Sequence, residues 1–597
     1  MKGYIMRAEK ILAAMSLREK IAQTFMVDFR KWNGEDMRVL PKEVADAMTK
    51  YKFGSFILFA NNVKTTEETF ALTKALQKAA VKDGGLPLLI TIDQEGGIVV
   101  RLGSGAVLPG NMALCASGKP ENARISGNII GKELLSVGIN CTLAPAVDVN
   151  NNANNPIIGL RSFSDDPGLV STFGNAYVDG VTETGAIACI KHFPGHGDTD
   201  VDSHYGLPKV EKNYDELKNF ELVPFASAIE NGAEMVMTAH ILYPDLDNSD
   251  VYSRKTGRYE KRPATMSHRI LTEILKEQMG FDGVICTDAI NMAGVAANFD
   301  NIQTSVEALA AGADMLCMPV ADVGSIDAMA RFEAIFDGME EAVSDGTLSM
   351  ERLDNAVLRI LRLKEKHGIL DYKEDDFSQE TAEAALGCKR HRDEERRMAN
   401  EAVTLVKYDK NSFPLKPEAK KRILFMFPYA AEETAVSAGF ERAKEAGKMP
   451  SDARAKYYFY TETDFAEPET VNGVLDWADS VVIISEIASA ARMQYTHWMS
   501  GTVKYVTDRC RTNGKTSVVI SVDKPYDVQL YPGAGAVLAV YGSKASGPNI
   551  SAGIEAALGA VDPAGKLPVN IPVFDEEKGS YSDEIVFRRG YGLRSED

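Results

Sequence analysis

The chain has 597 residues, a length that predicts two or three domains rather than one hydrophobic core. With 45% apolar and 25% charged residues its composition is that of an ordinary globular protein, and its net charge of −19 argues against nucleic acid or anionic membrane as a partner. No apolar span could cross a bilayer and the amino terminus lacks a signal-peptide core, so we expect a cytoplasmic protein. We expect it to be a monomer or a homodimer.

The seven cysteines are scattered without CxxC spacing. Four of them, Cys141, Cys189, Cys286 and Cys317, lie in apolar, strand-like runs. This placement predicts buried, reduced thiols rather than disulfides or a zinc site. We therefore expect neither a metal nor another cofactor.

Short apolar segments recur along the first part of the chain and alternate with stretches of helical spacing. The segments span 21–29, 54–60, 86–93, 139–149, 186–193, 233–241, 283–290 and 313–319. Eight strand-helix units within roughly 350 residues predict a TIM-like (β/α)8 barrel. An open, doubly wound sheet is the alternative, because a strand count from one sequence can be wrong by one or two.

Polar residues close five of these apolar segments, at the ends that form the working face of such a barrel. They are Asp93, Asp148, Lys191, His192, His240 and Asp288. Buried ionisable groups are costly unless they are paired, so a ring of them around one mouth favours a functional site.

The densest group of polar residues is KHFPGHGDTDVDSHYGLP, residues 191–208, which holds three of the eight histidines. Lys191 and His192 are expected to leave the sheet where the preceding strand ends. Gly195 and Gly197 allow backbone angles closed to other residues, so the following loop can fold over a cleft.

Two candidates for chemistry emerge from these residue types. Asp202 stands two residues before His204, and a carboxylate beside an imidazole stabilises the proton that the imidazole could deliver to a leaving group. Asp288 follows the apolar run GVICT and could act as a nucleophile. The plainer alternatives are a surface histidine paired with an aspartate, and an aspartate that caps the next helix.

A charged stretch of low hydrophobicity over 371–398 predicts a solvated helix or linker between two domains. The barrel is expected to span 1–370, and a smaller α/β sandwich domain with a parallel-leaning sheet 399–597. The second domain contains the β-rich segments AVTLVK, KRILFMF, SVVIIS, TSVVISVD and GAVLAVYG. It has no GxGxxG or GxxxxGK motif, so nucleotide binding has no support.

Six motifs spread over nearly the whole chain resemble glycoside hydrolase family 3, and specifically its β-N-acetylglucosaminidase branch. They are ITIDQEGGIVVRL (90–102), GLRSFSDDP (159–167), KHFPGHGDTDVDSHYGLP (191–208), FDGVICTDAINM (281–292), EAVTLVKYDKNSFPLKP (401–417) and AGKLPVNIPVF (564–574). The resemblance implies a retaining, exo-acting enzyme that cleaves terminal β-linked N-acetylglucosamine without a cofactor.

The resemblance also implies roles for individual residues. Asp288 corresponds to the catalytic nucleophile, His204 to an unusual histidine acid/base, and Asp202 to its partner in an Asp-His dyad. The residues that correspond to sugar-binding positions are Asp93, Arg101, Arg161, Lys191 and His192. The branch commonly has a second acidic residue after the nucleophile, where this chain has Ala289, so the finer substrate preference stays open.

Four alternatives remain at this stage. Phosphate instead of water could accept the glycosyl group, or the chain could be a β-glucosidase of the same family, with a glutamate such as Glu486 in the second domain as acid/base. A non-catalytic sugar-binding protein is the third. The fourth is a metal-dependent hydrolase, whose candidate ligands are His192, His196, Asp198, Asp200, Asp202 and His204.

Overall fold

A computed structural model describes residues 7–199, 207–374, 378–415, 421–542 and 547–594. Its first sheet has eight strands. They are β1 (Phe25–Val27), β2 (Ser55–Leu58), β3 (Leu89–Ile92), β4 (Cys141–Thr142), β5 (Ile187–Phe193), β6 (Met235–Thr238), β7 (Val284–Cys286) and β8 (Leu316–Cys317). Each strand lies within one of the eight predicted apolar segments, which confirms that part of the prediction.

The strands form a closed parallel barrel. They follow one another in chain order from β1 to β7, and β8 pairs with β1. A parallel bridge between Cys286 and Met315 joins β7 to the residues before β8 and completes the ring. The fold is therefore the predicted (β/α)8 barrel and not the open sheet.

One prediction about β5 is wrong. The strand runs to Phe193, so Lys191 and His192 belong to the sheet instead of leaving it. Lys191 bridges to Ala146, and its carbonyl accepts a 2.8 Å hydrogen bond from the N–H of Val147. This pairing with the residues after β4 keeps Lys191 and His192 in the strand, up to the end of the predicted segment 186–193.

Helices connect the barrel strands and cover the outside of the ring. The helices of this half are Arg7–Ala14, Leu17–Gln23, Lys42–Tyr51, Thr66–Val81, Asn111–Ala116, Pro120–Ser136, Pro167–Thr182, Tyr214–Lys218, Leu222–Glu230, Arg269–Gln278, Ala293–Ala296, Asn301–Ala311, Ile326–Ser344 and Met350–Lys366. The helix over Arg269–Gln278 has the wide π-helical winding. Among the described residues, no helix is both long and apolar enough to span a membrane.

The barrel interior is filled by a cluster of Met, Ile, Leu, Val and Cys side chains. Four of its members are Cys141, Cys189, Cys286 and Cys317, which are buried as predicted. All seven cysteines of the chain are described, and all are free thiols. The sulfur atoms of Cys189 and Cys286 lie 3.8 Å apart in hydrogen-bonding contact.

The second sheet is six-stranded. Its strands are β9 (Thr404–Tyr408), β10 (Arg422–Phe427), β11 (Arg454–Phe459), β12 (Ser480–Ser485), β13 (Thr516–Ser521) and β14 (Ala536–Ala539). They lie in the order β9-β14-β13-β12-β10-β11, with β9 antiparallel and the others parallel. A parallel-leaning α/β sheet is thus confirmed. The edge strand β11 was not predicted, because its RAKYYF sequence lacks an apolar run.

The helices of the second half flank this sheet and the connection before it. They are Gln379–Ala385, Lys389–Ala402, Glu433–Glu445, Glu462–Ala466, Glu469–Trp477, Trp498–Thr512 and Gly547–Ala557. An antiparallel pair of strands, Ile571–Asp575 and Ser580–Phe587, ends the fold.

The charged connection between the domains includes the helix Lys389–Ala402, which contacts both of them. On the barrel side, His391 Nδ1 lies 2.8 Å from Glu133 Oε1. On the other side, Arg396 forms a 2.5 Å ion pair with Glu555. The helix is therefore a bridging element rather than a freely solvated one. The predicted limits at 370 and 399 remain a proposal.

Replacing Gly473 by Ala is expected to raise the free energy of unfolding by about 0.5–1 kcal/mol. Gly473 lies inside the helix Glu469–Trp477, and a Cβ there would have, among the described residues, no heavy atom within 4 Å beyond its own stretch of helix backbone. Urea denaturation measures the effect. The same change at Gly180 is the contrasting case, because its Cβ would lie 1.9 Å from the carbonyl oxygen of Arg124. Equal stability changes at the two positions would contradict this account.

Lys364 is expected to make stability depend on pH. It is fully buried, its Nζ donates to Pro87 O (2.9 Å) and Gln23 Oε1 (3.2 Å), and burial lowers its pKa from 10.5 to about 7. Between those pH values the unfolded chain binds a proton that the folded protein lacks, so stability rises with pH. The Tm of Lys364→Met minus the Tm of the wild type should therefore have its highest value at pH 6. It should shrink towards pH 10, and a pH-independent difference would contradict the assignment.

Candidate active site

A cavity of about 500 Å³ opens at the carboxyl ends of the barrel strands. Six of the eight residues predicted to form the site line it. They are Asp93, Arg101, Arg161, Lys191, His192 and Asp288. The other two, Asp202 and His204, lie outside the described residues.

Asp288 lies two residues beyond the end of β7 and is partly exposed to the cavity. Its Oδ1 accepts a 2.7 Å hydrogen bond from the N–H of Ala289. Burial raises the pKa of this carboxyl, but the nearby His192 and His240, the Ala289 N–H and the Lys191 ammonium outweigh burial, so the pKa lies below its ordinary value. The group is therefore a carboxylate at neutral pH, as a nucleophile must be.

The alternative role for Asp288 was to cap the following helix. That helix begins at Ala293, and Met292 occupies its N-cap position. Asp288 bonds instead to its direct neighbour, and the loop from Ala289 to Met292 lines the cavity together with it. The capping interpretation is wrong, because the turn of chain after β7 is longer than a cap requires.

A buried network of charges lies beneath the cavity and centres on Glu95. Arg161 binds it through two parallel hydrogen bonds, Nε–Oε2 at 3.0 Å and Nη2–Oε1 at 2.8 Å. The Nζ of Lys191 lies 2.7 Å from Glu95 Oε1 and 2.7 Å from Asp93 Oδ1. Burial alone would raise the pKa of Glu95, yet Arg161 and Lys191 hold it far below its usual range. The network fixes two cations at the cavity wall.

His192 is held between the same network and a second carboxylate. Its Nδ1 lies 2.8 Å from Asp148 Oδ2, and its Nε2 lies 3.3 Å from Nη2 of Arg161. Asp148 is completely buried and also accepts from the backbone N–H of His196 at 2.7 Å. Burial raises the pKa of Asp148, but His192 and His196 lower it overall. Asp148 therefore orients the imidazole that faces the cavity.

Arg101 has one side-chain N–H group that is not used within the described part of the chain. Its backbone N–H donates to Gln94 Oε1 at 2.8 Å, which fixes its position at the rim. Its side-chain Nε is buried and has no acceptor among the described residues. Since a buried donor without a partner is costly, an acceptor from a bound molecule, such as a hydroxyl oxygen, would satisfy it.

Sequence reasoning missed several residues of the site. Glu95 stands two positions after Asp93 within the motif ITIDQEGG, and that nearness was the only signal for it. Arg30 and Phe59 also line the cavity, with the guanidinium 3.7 Å from the ring centroid. No sequence signal marks this stacked pair, because its members come from loops after two different strands.

The candidate metal ligands do not converge in the described part of the chain. Asp148 binds the ring of His192 but only the backbone N–H of His196, whose Nδ1 lies 2.8 Å from Thr199 Oγ1. Asp198 forms a 2.7 Å ion pair with Lys212. Burial lowers the pKa of His196 to about 4, so this imidazole is neutral. Among the described residues, no group of three or more His, Cys, Asp or Glu side chains is suited to hold a metal ion.

The glutamate considered for the β-glucosidase alternative also lies elsewhere. Glu486 follows β12 in the second domain and is largely buried there. Of the described residues, it is not among those that line the cavity around Asp288.

Comparisons with known proteins agree on one family. The model of the glycosyl hydrolase family 3 N-terminal domain matches residues 16–363. "Beta-hexosaminidase A" of Pseudoalteromonas piscicida is 33% identical over 598 aligned positions, which cover 93% of this chain and 97% of that protein. The "Beta-N-acetylglucosaminidase/beta-glucosidase" of Cellulomonas fimi is 30% identical, with 60% of this chain and 61% of that protein covered.

A solved structure extends the likeness to three dimensions. The family 3 β-N-acetylglucosaminidase from Paenibacillus sp. str. FPU-7 superposes with a TM-score of 0.77 at 29% identity. The match covers 93% of this chain and 99% of that one. Both the barrel and the second α/β domain are therefore shared.

Proposed function

Because the chain belongs to glycoside hydrolase family 3, we propose that it is a retaining, exo-acting β-N-acetylhexosaminidase that removes terminal β-linked N-acetylglucosamine. The observation that carries the proposal is the cavity at the barrel mouth, where an ionised Asp288 faces a wall of fixed cations. The names of relatives similar over the whole chain support the sugar assignment.

In the first step, an oxygen of the Asp288 carboxylate attacks the anomeric carbon while the bond to the leaving oxygen breaks. His204, which carries a proton stabilised by Asp202, gives that proton to the departing oxygen. The product is a glycosyl ester on Asp288. Placing the nucleophile and the acid on opposite faces of the sugar is what retention of configuration requires.

In the second step, the imidazole of His204 is neutral and accepts a proton from water. The water oxygen attacks the anomeric carbon and releases the Asp288 carboxylate. Free N-acetylglucosamine leaves with its original configuration, and both catalytic groups return to their starting protonation states. No cofactor takes part in either step.

The polar wall holds the sugar during both steps. Asp93 accepts from sugar hydroxyls, and Lys191 and Arg161 donate to hydroxyl oxygens from positions fixed by Glu95. His192, held through Nδ1 by Asp148, borders the sugar in the same wall. Arg101 contributes its Nε, which has no acceptor among the residues that the structure describes, to the same task. Groups already held in place need not be ordered when the substrate binds, which favours affinity.

The proposal is tested by a panel of p-nitrophenyl glycosides assayed with and without millimolar phosphate. N-acetyl-β-glucosaminide should be the preferred substrate, and free sugar should be the product in both buffers. Sugar 1-phosphate formed in the phosphate arm would reassign the acceptor. A preference for the β-glucoside would reassign the substrate, and no turnover on any member would overturn the proposal.

Replacing His204 by Ala should slow glycosides with poor leaving groups far more than those with good ones. Only the former need a proton on the departing oxygen, and general acid catalysis contributes about 10²–10⁴-fold. The ratio of kcat/KM between an alkyl and a p-nitrophenyl glycoside measures the effect. Equal losses on both substrates would argue against the acid role.

A further inference from the structure

The second domain contacts the barrel loop that carries Arg161 at two places. This loop follows β4 and leads to the helix Pro167–Thr182. Near its end, Arg589 of the second domain pairs with Asp165 at 2.5 Å and with Asp166 at 2.9 Å. Near its start, Lys524 of the second domain reaches into the loop. Arg161 is thus presented from a segment that another domain holds on both sides.

Lys524 contacts the loop shortly before Arg161. Its side chain is only 7% exposed, and its Nζ donates to the backbone oxygens of Asn155 at 3.1 Å and Ala153 at 3.5 Å. A Cβ added to Gly159 would lie 2.9 Å from Cδ of Lys524, so the aliphatic stem packs directly on the loop two residues before Arg161. Ammonium and stem together fix the backbone from 153 to 159.

Asn155 connects this loop to the chain after β5 through hydrogen bonds of its side chain. Its Oδ1 accepts from the N–H groups of Ile157 (2.9 Å) and Ile158 (2.8 Å), which shapes the turn before Arg161. Its Nδ2 donates to the backbone oxygens of His196 (2.8 Å) and Gly197 (3.0 Å). The side chain is completely buried. One residue therefore links the Arg161 loop with the strand-end segment that follows Lys191 and His192.

Little space is left for this segment to move. A Cβ on Gly197 would lie 1.6 Å from the carbonyl oxygen of Val149, so the two stretches of backbone touch. Thr199 Oγ1 lies 2.8 Å from Nδ1 of His196 and 3.3 Å from Nδ2 of Asn155. A shift of the loop at Asn155 would therefore displace both the turn before Arg161 and the segment 196–199.

We propose that Lys524 is a positioning residue through which the second domain sets the Arg161 loop and the segment 196–199 in their working places. It does not touch the cavity, since of the described residues it is not among those that line it. Its effect on turnover rests on the proposed function, whereas its effect on the loop does not. The second domain thereby becomes part of the machinery that orders the sugar-binding wall.

The test compares Lys524→Met with Lys407→Met. Methionine keeps the aliphatic stem and removes the ammonium. Lys407 is the matched control, because its Nζ also donates to two backbone oxygens, Pro532 (2.8 Å) and Ala534 (2.7 Å), but entirely within the second domain. We expect Lys524→Met to lower kcat/KM about 10- to 100-fold, mainly through KM, because small misplacements near a site are costly. Lys407→Met should change only Tm.

Hydrogen exchange provides the readout that does not depend on activity. In Lys524→Met, peptides covering 150–161 and 193–199 should exchange faster than in the wild type, and in Lys407→Met they should not. Unchanged exchange in these peptides, or equal kinetic losses in both variants, would overturn the inference. Faster exchange in an enzyme inactive on every N-acetylhexosaminide would uphold the inference and reject the proposed function.

Discussion

Replacing Asp288 by Asn should lower kcat on the order of 10⁴-fold or more while leaving substrate binding largely intact. The amide has nearly the shape of the carboxylate, so the cavity and the hydrogen bond from the Ala289 N–H are kept. It lacks the negative charge with which Asp288 is proposed to attack the anomeric carbon. Steady-state kinetics on the p-nitrophenyl substrate and calorimetric titration with N-acetylglucosamine measure the two effects separately.

A covalent trap distinguishes a nucleophile from a residue that merely binds. A 2-fluoro glycoside with a good leaving group should add one sugar mass to the wild type and none to Asp288→Asn, and peptide mapping should place the label on Asp288. Asp46→Asn is a suitable control, because Asp46 is an exposed residue that pairs with Lys42 on its own helix. A label on another residue, or normal turnover by Asp288→Asn, would refute the mechanism.

The barrel was predictable because its strands are buried on both faces. A strand enclosed by other side chains and by helices is an uninterrupted apolar run, and all eight runs proved to contain strands. The edge strand β11 escaped for the opposite reason. Its residues alternate between exposed and partly buried, so its sequence resembles that of a loop.

The candidate site was predictable where a single residue ends a strand, and less so where contacts join distant segments. Asp288, Lys191 and Asp93 each close an apolar run, so their position followed from the topology. Glu95 lies in a glycine-rich turn, where an acidic residue is ordinarily exposed. It is buried because β3, β5 and the Arg161 loop come together around it, and no single segment of the sequence indicates that contact.

The role proposed for the second domain could not be predicted from the sequence either. Nothing in the sequence distinguishes Lys524 from the other lysines. Its partners are backbone oxygens, which every residue has, so the residue types around it do not indicate the contact. The charged connection was expected to be solvated because acids and bases alternate in it. In the structure several of those charges find partners on both domains, including His391 with Glu133 and Arg396 with Glu555.

Replacing Glu95 by Gln should weaken both the fold and substrate binding. The Glu95 side chain is only 2% exposed, and its carboxylate faces Arg161 and Lys191. Removing one partner of a buried ion pair costs about 3–5 kcal/mol, because the remaining charge stays buried without compensation. Since Arg161 then loses its bidentate ion pair with the Glu95 carboxylate, KM should rise about 10- to 100-fold.

The pH dependence of this loss has a definite sign. The pKa of Glu95 lies far below its usual range in the folded protein, so the stabilisation is fully present above the ordinary glutamate pKa of about 4.3. It fades as the pH falls towards the lowered value. The gap in unfolding free energy between wild type and Glu95→Gln should therefore be constant from pH 6 to 8 and narrow below pH 4.

Glu133→Gln separates the two effects. Glu133 is equally buried and binds His391 Nδ1 at 2.8 Å and the N–H of Ala106 at 2.9 Å, but it does not line the cavity. It should lower Tm and leave KM near the wild-type value, whereas Glu95→Gln should change both. If the two variants lost stability alike and kept the same KM, Glu95 would be a structural ion and Arg161 would not depend on it. A rise in KM confined to Glu95→Gln would instead make this glutamate the anchor of the sugar-binding wall.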